Sequence, residues 1–287
     1  RARLRAWGLM LAGTTAANFF TLTSPAGFRM LSLIGAVLLG MKAVLAVNPA
    51  PEESSLPFPG YLAFALAWPG MQPAVFRKRA AQALPGWGKH ALQGLMALAA
   101  GTGFFFLSHF FWGRTSSLFW ATPPFFIGAS LTVHFGLFNL ATAFWRRQGF
   151  DCGALFQNPF EAQNLGDFWA HRWNIGFGEM TAVAAYGPMK KAFPAWVGLL
   201  GAFGFSGILH EVSISLPVNA GYGGPLAYFL LHGGLVILER WMGAKGIRLR
   251  GRAGLAWILF WLVAPLPLLF HRSFLAGVVW PLMGVQP

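Results

Sequence analysis

Charge is the scarcest property of this sequence. Only 10% of its 287 residues are Asp, Glu, Lys or Arg, and 56% are hydrophobic. A soluble domain carries about a quarter charged residues. A chain of this length folding in water needs a charged shell, and 8 acidic with 21 basic side chains do not make one. Its surface therefore has to meet lipid. Cysteine is nearly missing as well. The single Cys152 excludes an internal disulfide and a thiolate metal cluster, and reads as a plain unpaired thiol in a loop. The 7 histidines are scattered singly, and Ile214 stands four positions after His210, so the His-Glu-x-x-His helix of a zinc protease is missing. The clustered histidine boxes of membrane di-iron enzymes are missing too. No metal is expected; the one metal arrangement left open is a site assembled across helices from His210, His232 and Glu239. Repeats, heptads and low-complexity tracts are also lacking, which leaves one membrane-embedded domain over residues 1–287.

What the chain has instead is a formal net charge of +13, set in short clusters between long apolar runs. These are Arg77, Lys78 and Arg79; Arg146 and Arg147; Lys190 and Lys191; and Arg248, Arg250 and Arg252. A continuous basic groove with interleaved stacking aromatics is not visible, so nucleic acid is not the expected partner. The pattern is that of loops held on the cytoplasmic side, facing anionic headgroups. On this rule the segments 77–89, 146–172 and 240–252 are cytoplasmic. Glu52, Glu53 and the segment 217–225, free of Lys and Arg, are on the other side. Arg1, Arg3, Arg5 and Arg29 flank the first span at both ends and leave its orientation open.

Runs of about 20 apolar residues cross a bilayer as helices. The clearest are Met30 to Val47, Tyr61 to Phe76, Ala91 to Trp112, Leu118 to Trp145, Ala195 to Leu216, Leu226 to Trp241 and Ala253 to Trp280. Weaker ones are Trp7 to Leu22 and Phe177 to Met189, the latter interrupted by glycines and closed by Pro188. The expected fold is therefore all-α: a multi-pass transmembrane helical bundle with a re-entrant or broken helix near Phe177. The longest polar interruption, Arg146 to Arg172, holds Asp151, Asn158, Glu161, Gln163, Asn164 and Asp167, and reads as a functional loop.

Two constellations carry chemistry. His210 and Glu211 lie deep in the apolar run 198–216, where a central charge costs roughly 2.5–3.5 kcal/mol on insertion scales. They read either as polar glue between helices or as a reactive pair facing a cavity. Gly201, Gly204 and Gly207 recur every third residue before them, which gives close helix packing, room for a substrate tail beside His210, or both. The second constellation is Phe168-Trp169-Ala170-His171-Arg172-Trp173-Asn174. Its aromatics suit an interfacial anchor, while Asn174, at the start of a membrane segment, must find hydrogen-bond partners in protein or substrate.

Asn158-Pro159-Phe160, then Phe168 to Asn174, then Ser206-Gly207-Ile208-Leu209-His210-Glu211 and Phe229-Leu230-Leu231-His232-Gly233 together resemble the membrane-bound O-acyltransferase superfamily, in its wax synthase-like branch. The resemblance covers about the C-terminal half. It implies a multi-helix fold with an internal tunnel, acyl-coenzyme A arriving from the cytoplasm and a hydroxylated, lipid-like acceptor from the bilayer. Its intramembrane histidine corresponds to His210 and its motif asparagine to Asn174. One departure is Ala170-His171, where the branch more often has Gly-Arg.

On that reading His210 is the base that takes the acceptor's hydroxyl proton, and Asn174 holds the thioester carbonyl or the base. Glu211 either supports the imidazolium or partners a neighbouring helix. Trp173 and Ser206 support the site, with Ser206 and Ser213 as the alternative nucleophiles. Trp169, His171, Arg172, Lys190, Lys191, Arg146 and Arg147 are the candidates for coenzyme A, which is a co-substrate; no permanently bound cofactor is expected. The competing reading is a transporter or channel with His210 and Glu211 as a proton relay. A catalytically dead scaffold is the other rival. High Ala, Gly, Arg and Trp usage points to a bacterial inner membrane.

Overall fold

The computed structural model describes residues 1–47 and 56–285, so Glu52 and Glu53, expected on the outer side, lie outside the described residues. In chain order the helices are α1 (Ala2–Phe20), α2 (Ala26–Ala46), α3 (Phe58–Ala67), α4 (Trp87–Thr115) and α5 (Leu118–Arg147). They are followed by α6 (165–172), α7 (175–192), α8 (Ala195–Val218), α9 (Gly224–Ala244) and α10 (Gly251–Leu269). No strand occurs among the described residues. Five helices, α2, α4, α5, α8 and α10, are long and apolar enough to cross a membrane. The chain is an all-α, multi-pass integral membrane protein.

The expected spans differ from the observed helices where proline intervenes. Tyr61 to Phe76 is not one span: α3 stops at Ala67 and a 3-10 turn forms at Pro73–Phe76. Pro69 and Pro73 cannot donate the helical N–H, and Gly70 between them favours a turn. Ala253 to Trp280 is likewise divided. Its first helix winds to Val263, turns at 264–265, ends at Leu269, and gives way to short helical pieces from Arg272 onward, with Pro265 at the turn. The interruption expected near Phe177 takes the form of a wide π turn, Ala182–Tyr186, inside the continuous helical run 175–192. Further π turns lie at Phe168–Arg172 and Glu211–Ser215, within or directly after both motifs. Such turns are often found at functional positions.

The described residues form two compact units, one of residues 56–157 with 283–285 and the other of residues 1–47 and 158–282. In the first, α4 lies along α5 where a Cβ on Gly128 would stand 2.9 Å from the Gly101 carbonyl oxygen, an approach open only to glycine. Cys152 is buried there, and burial pushes its thiol up to about 12, as expected of an inert cysteine.

The second unit holds both motifs. Arg29, which looked like a charge flanking the first span, is buried on α2, donating to Asn18 Oδ1 at 2.7 Å and the Pro217 carbonyl at 3.1 Å. It ties the α1–α2 pair to the end of α8. Within this unit α8 packs on α9 through its glycine face. A Cβ on Gly207 would stand 2.8 Å from Leu226 Cα, whereas one on Gly204 would meet only Leu230 Cδ2 at 3.6 Å. The spacing therefore serves close packing, and the neighbours of Gly201 and Gly207 are Met189 and Leu226.

Gly207→Ala should lower thermal stability in detergent by roughly 1–3 kcal/mol, because backbone and not a pliable side chain has to yield. Gly204→Ala, on the same face, should leave the unfolding temperature unchanged or slightly raised. Equal effects of the two would contradict this packing.

Candidate active site

The first N–H groups of a helix have no partner within it, and four side chains, Glu239, Asn164, Glu211 and Asn174, supply acceptors for them here. At the start of α6, Glu239 accepts from the N–H of Leu165 at 3.0 Å and of Gly166 at 3.2 Å. Asn164 accepts from the next two, through Oδ1 from Asp167 and through its carbonyl from Phe168. Trp257 of α10 donates to the same Glu239 at 3.0 Å, so one carboxylate joins α6, α9 and α10. At the start of α9, Glu211 accepts from Gly223 at 2.8 Å and Leu226 at 3.0 Å, and Pro225 between them has no N–H to satisfy. Charge-assisted bonds of this kind also match the positive end of the helix dipole.

Glu211 is thus a structural partner for a neighbouring helix, one of the two roles expected of it. Glu239 is the residue whose role sequence reading missed. Its signal was the same as that of Glu211, a carboxylate inside an apolar run. With both oxygens engaged on N–H groups, Glu239 is not available to a metal shared with His210 and His232.

Asn174 caps α7 from the left-handed region, φ 47°, which asparagine tolerates better than most residues. Its Oδ1 accepts from the Phe177 N–H at 3.2 Å. An N–H can only point at an acceptor, so the amide oxygen faces the helix start and the Nδ2 hydrogens are directed elsewhere. That NH2 group has no hydrogen-bond partner among the described residues and is available as a donor.

His210 ends the regular part of α8. Its Nδ1 lies 2.7 Å from the Ser206 carbonyl one turn back. A carbonyl accepts only, so Nδ1 carries the proton and Nε2 of the neutral ring carries a bare lone pair. The ring is partly exposed, packed between Phe229 at 4.2 Å and Phe177 at 5.7 Å between centroids. Phe177 is the residue whose N–H Asn174 caps, so the asparagine and the histidine are linked through one residue, by its backbone and by its ring. Trp169 stands against Phe229 at 5.7 Å and against fully buried His232 at 5.3 Å, which extends the aromatic wall into the motif. Trp173 stacks on Phe168 at 5.5 Å.

The remaining expected residues separate. Ser206 and Ser213 each donate to a carbonyl of their own helix, Ala202 at 3.0 Å and Leu209 at 2.8 Å, which occupies the proton a nucleophile would lose. Arg172 donates to Asp167 at 2.8 Å and to the Asn158 carbonyl at 3.0 Å, with Glu161 at 3.5 Å. It locks the Asn158 and Asn174 ends of the motif loop together and is already neutralised. His171 is 74% exposed, 3.4 Å from Asp167. Lys190 and Lys191 are exposed on α7, Lys190 over the Tyr186 ring. Arg146 and Arg147 belong to the other unit, where Arg146 pairs with Asp151 at 2.6 Å and Arg147 lies over Trp87.

Partial burial opposes the charge of Asp167, but the Arg172 guanidinium, the Gln163 N–H and His171 outweigh it and hold this carboxyl below its ordinary range. A lowered folded pKa contributes stability that is fully present above the ordinary value, about 4, and is lost as pH falls through the lowered one. Asp167→Asn should therefore lower the unfolding temperature at pH 7 by about 2–4 °C, the size of a loss near 1 kcal/mol. The gap from native protein should close as pH drops below about 4. A gap independent of pH would remove the lock.

Comparison with a family model locates a match on this stretch. Residues 152–231 match the model of the Membrane bound O-acyl transferase family. The chain is 31% identical over 100 residues to the long-chain-alcohol O-fatty-acyltransferase of Simmondsia chinensis, covering 32% of this chain and 28% of that protein. It is 30% identical over 100 residues to the probable long-chain-alcohol O-fatty-acyltransferase 7 of Arabidopsis thaliana, covering 32% and 30%. A third, the probable long-chain-alcohol O-fatty-acyltransferase 2 of the same plant, is 28% identical over 132 residues, covering 40% and 37%. The matched stretch spans less than a third of the length of the first two relatives. The resemblance to wax synthase-like membrane-bound O-acyltransferases, expected from the motifs, thus holds over the residues that carry Asn158, Asn174, His210 and Phe229.

Proposed function

We propose that this protein, residues 1–287 acting as one membrane-embedded domain, is an O-acyltransferase that moves an acyl group from acyl-coenzyme A to the hydroxyl of a long-chain alcohol, giving a wax ester. The observation that carries the reading is the bare Nε2 of His210, fixed by the bond from Nδ1 to the Ser206 carbonyl. The relatives' names supply the acceptor class.

The steps follow from the groups present. Nε2 takes the proton of the acceptor hydroxyl while its oxygen attacks the thioester carbonyl carbon. The Asn174 Nδ2 hydrogens stabilise the oxyanion that develops on the carbonyl oxygen. Collapse breaks the carbon–sulfur bond, and the proton held on Nε2 passes to the leaving thiolate. The positive charge carried meanwhile by the ring is supported through Nδ1–H by the Ser206 carbonyl. Transfer is direct, in a ternary complex, because Ser206 and Ser213 are bonded within their own helix. Residue usage alone supports a bacterial inner membrane; the relatives named above are plant proteins.

The test is a membrane assay with labelled acyl-coenzyme A and long-chain alcohols. His210→Ala should abolish ester formation with the unfolding temperature preserved. Asn174→Asp keeps an acceptor for the Phe177 N–H and removes the donor. It should lower kcat by about 10²–10³-fold, as loss of an oxyanion donor does, without unfolding α7. Activity near native in either variant would overturn the assignment of that residue.

A further inference from the structure

Removing Arg172 and Arg146 from the pool of available cations raises the question of what meets the phosphates of the donor. Beside the motif loop lies a segment the mechanism has not used. Residues 240–252 hold Arg240, Lys245, Arg248, Arg250 and Arg252 and no acidic residue. All five side chains are exposed, and none has a hydrogen-bond or ion-pair partner among the described residues. The backbone between the two helices turns at Gly246, φ 79°, and runs irregularly over 247–250 before α10 begins.

One end of this segment is bonded to the loop that leads into Asn174, and the other end lies close to that loop. Just before it, Glu239 grips the N–H groups of Leu165 and Gly166 and the indole of Trp257. Just after it, Gly254 lies against the Leu249 carbonyl, with the Gln163 carbonyl 3.8 Å from where its Cβ would stand. The acids of the neighbourhood are already engaged, Glu239 on N–H groups and Asp167 and Glu161 with Arg172. Five cations against the single adjoining carboxylate of Glu239, which keeps its charge while accepting from neutral N–H groups, leave the segment a net positive field.

We propose that residues 240–252 form the phosphate-binding surface for the coenzyme A part of the donor, with Arg248, Arg250 and Arg252 as its main contacts. This rests on the acyl-coenzyme A reading above and names the site that reading lacks. Coenzyme A carries a diphosphate and a 3′-phosphate, three groups that exposed guanidinium forks bind with two hydrogen bonds each. Anchoring them here leaves the pantetheine arm to reach from the loop along the motif toward Asn174.

Equilibrium binding of coenzyme A to the purified full chain in neutral detergent tests this without calling on transfer. In Arg248→Gln/Arg250→Gln/Arg252→Gln the Kd for coenzyme A should rise at least tenfold and depend less steeply on salt. Binding of a phosphate-free acyl-pantetheine should be unchanged, which also reports that the variant is folded. Arg248→Gln alone should give a smaller rise of the same kind. Unchanged affinity for coenzyme A overturns the proposal. So does an equal loss for both ligands, or a loss of binding to phosphatidylglycerol vesicles with coenzyme A unaffected, which would make the segment a lipid contact. A native protein that binds coenzyme A here but forms no ester leaves this surface standing and removes the transferase reading instead.

Discussion

The first N–H groups of a helix find no acceptor within it, and the second unit is organised around that constraint. Each of its motif helices takes an acceptor for those groups from a side chain of the protein itself. Asn174 supplies one for α7, Glu211 for α9, and Glu239 with Asn164 for α6. Each acceptor fixes where a helix begins, and with it where the side chains of the first turns stand. Removing one of them would leave N–H groups at a helix start without their protein acceptor, a loss of about 0.5–2 kcal/mol, as for other N-caps.

The arrangement proposed to react is a by-product of those caps. Capping by Asn174 places Phe177 against His210 and turns the amide hydrogens away from the helix. Capping by Glu211 sets the start of α9, and Phe229 then packs on the imidazole. The histidine's own helix completes the site, because the Ser206 carbonyl dictates which nitrogen keeps its proton. On the proposed reading, the histidine lone pair serves as the acceptor and the asparagine amide as the donor for acyl transfer.

Much of this was legible in the sequence. The spans of α2, α4, α5 and α8 were visible because crossing lipid demands an unbroken apolar run, and nothing else in a protein produces one so long. Where prolines sit inside such a run, at Pro69 and Pro265, hydropathy overstated the helix. Neighbouring positions misled in a different way. His210 and Glu211 are adjacent in the chain, yet consecutive helical residues point in different directions, and the glutamate faces the start of α9. Arg172 looked like a phosphate ligand because its partners Asp167 and Glu161 are brought to it only by the fold of the loop. The glycine spacing in α8 announced close packing, but which neighbours fill it is decided by α7 and α9.

The account stands most directly on the protonation pattern of one ring. Nitrogen-15 NMR of histidine-labelled protein in lipid, with the His210 signal assigned by its loss in His210→Gln, reads that pattern without any assay of turnover. A neutral ring protonated at Nδ1 and bare at Nε2 is the result the account requires. A neutral ring with its proton on Nε2 would contradict it, because no lone pair would then face the acceptor hydroxyl.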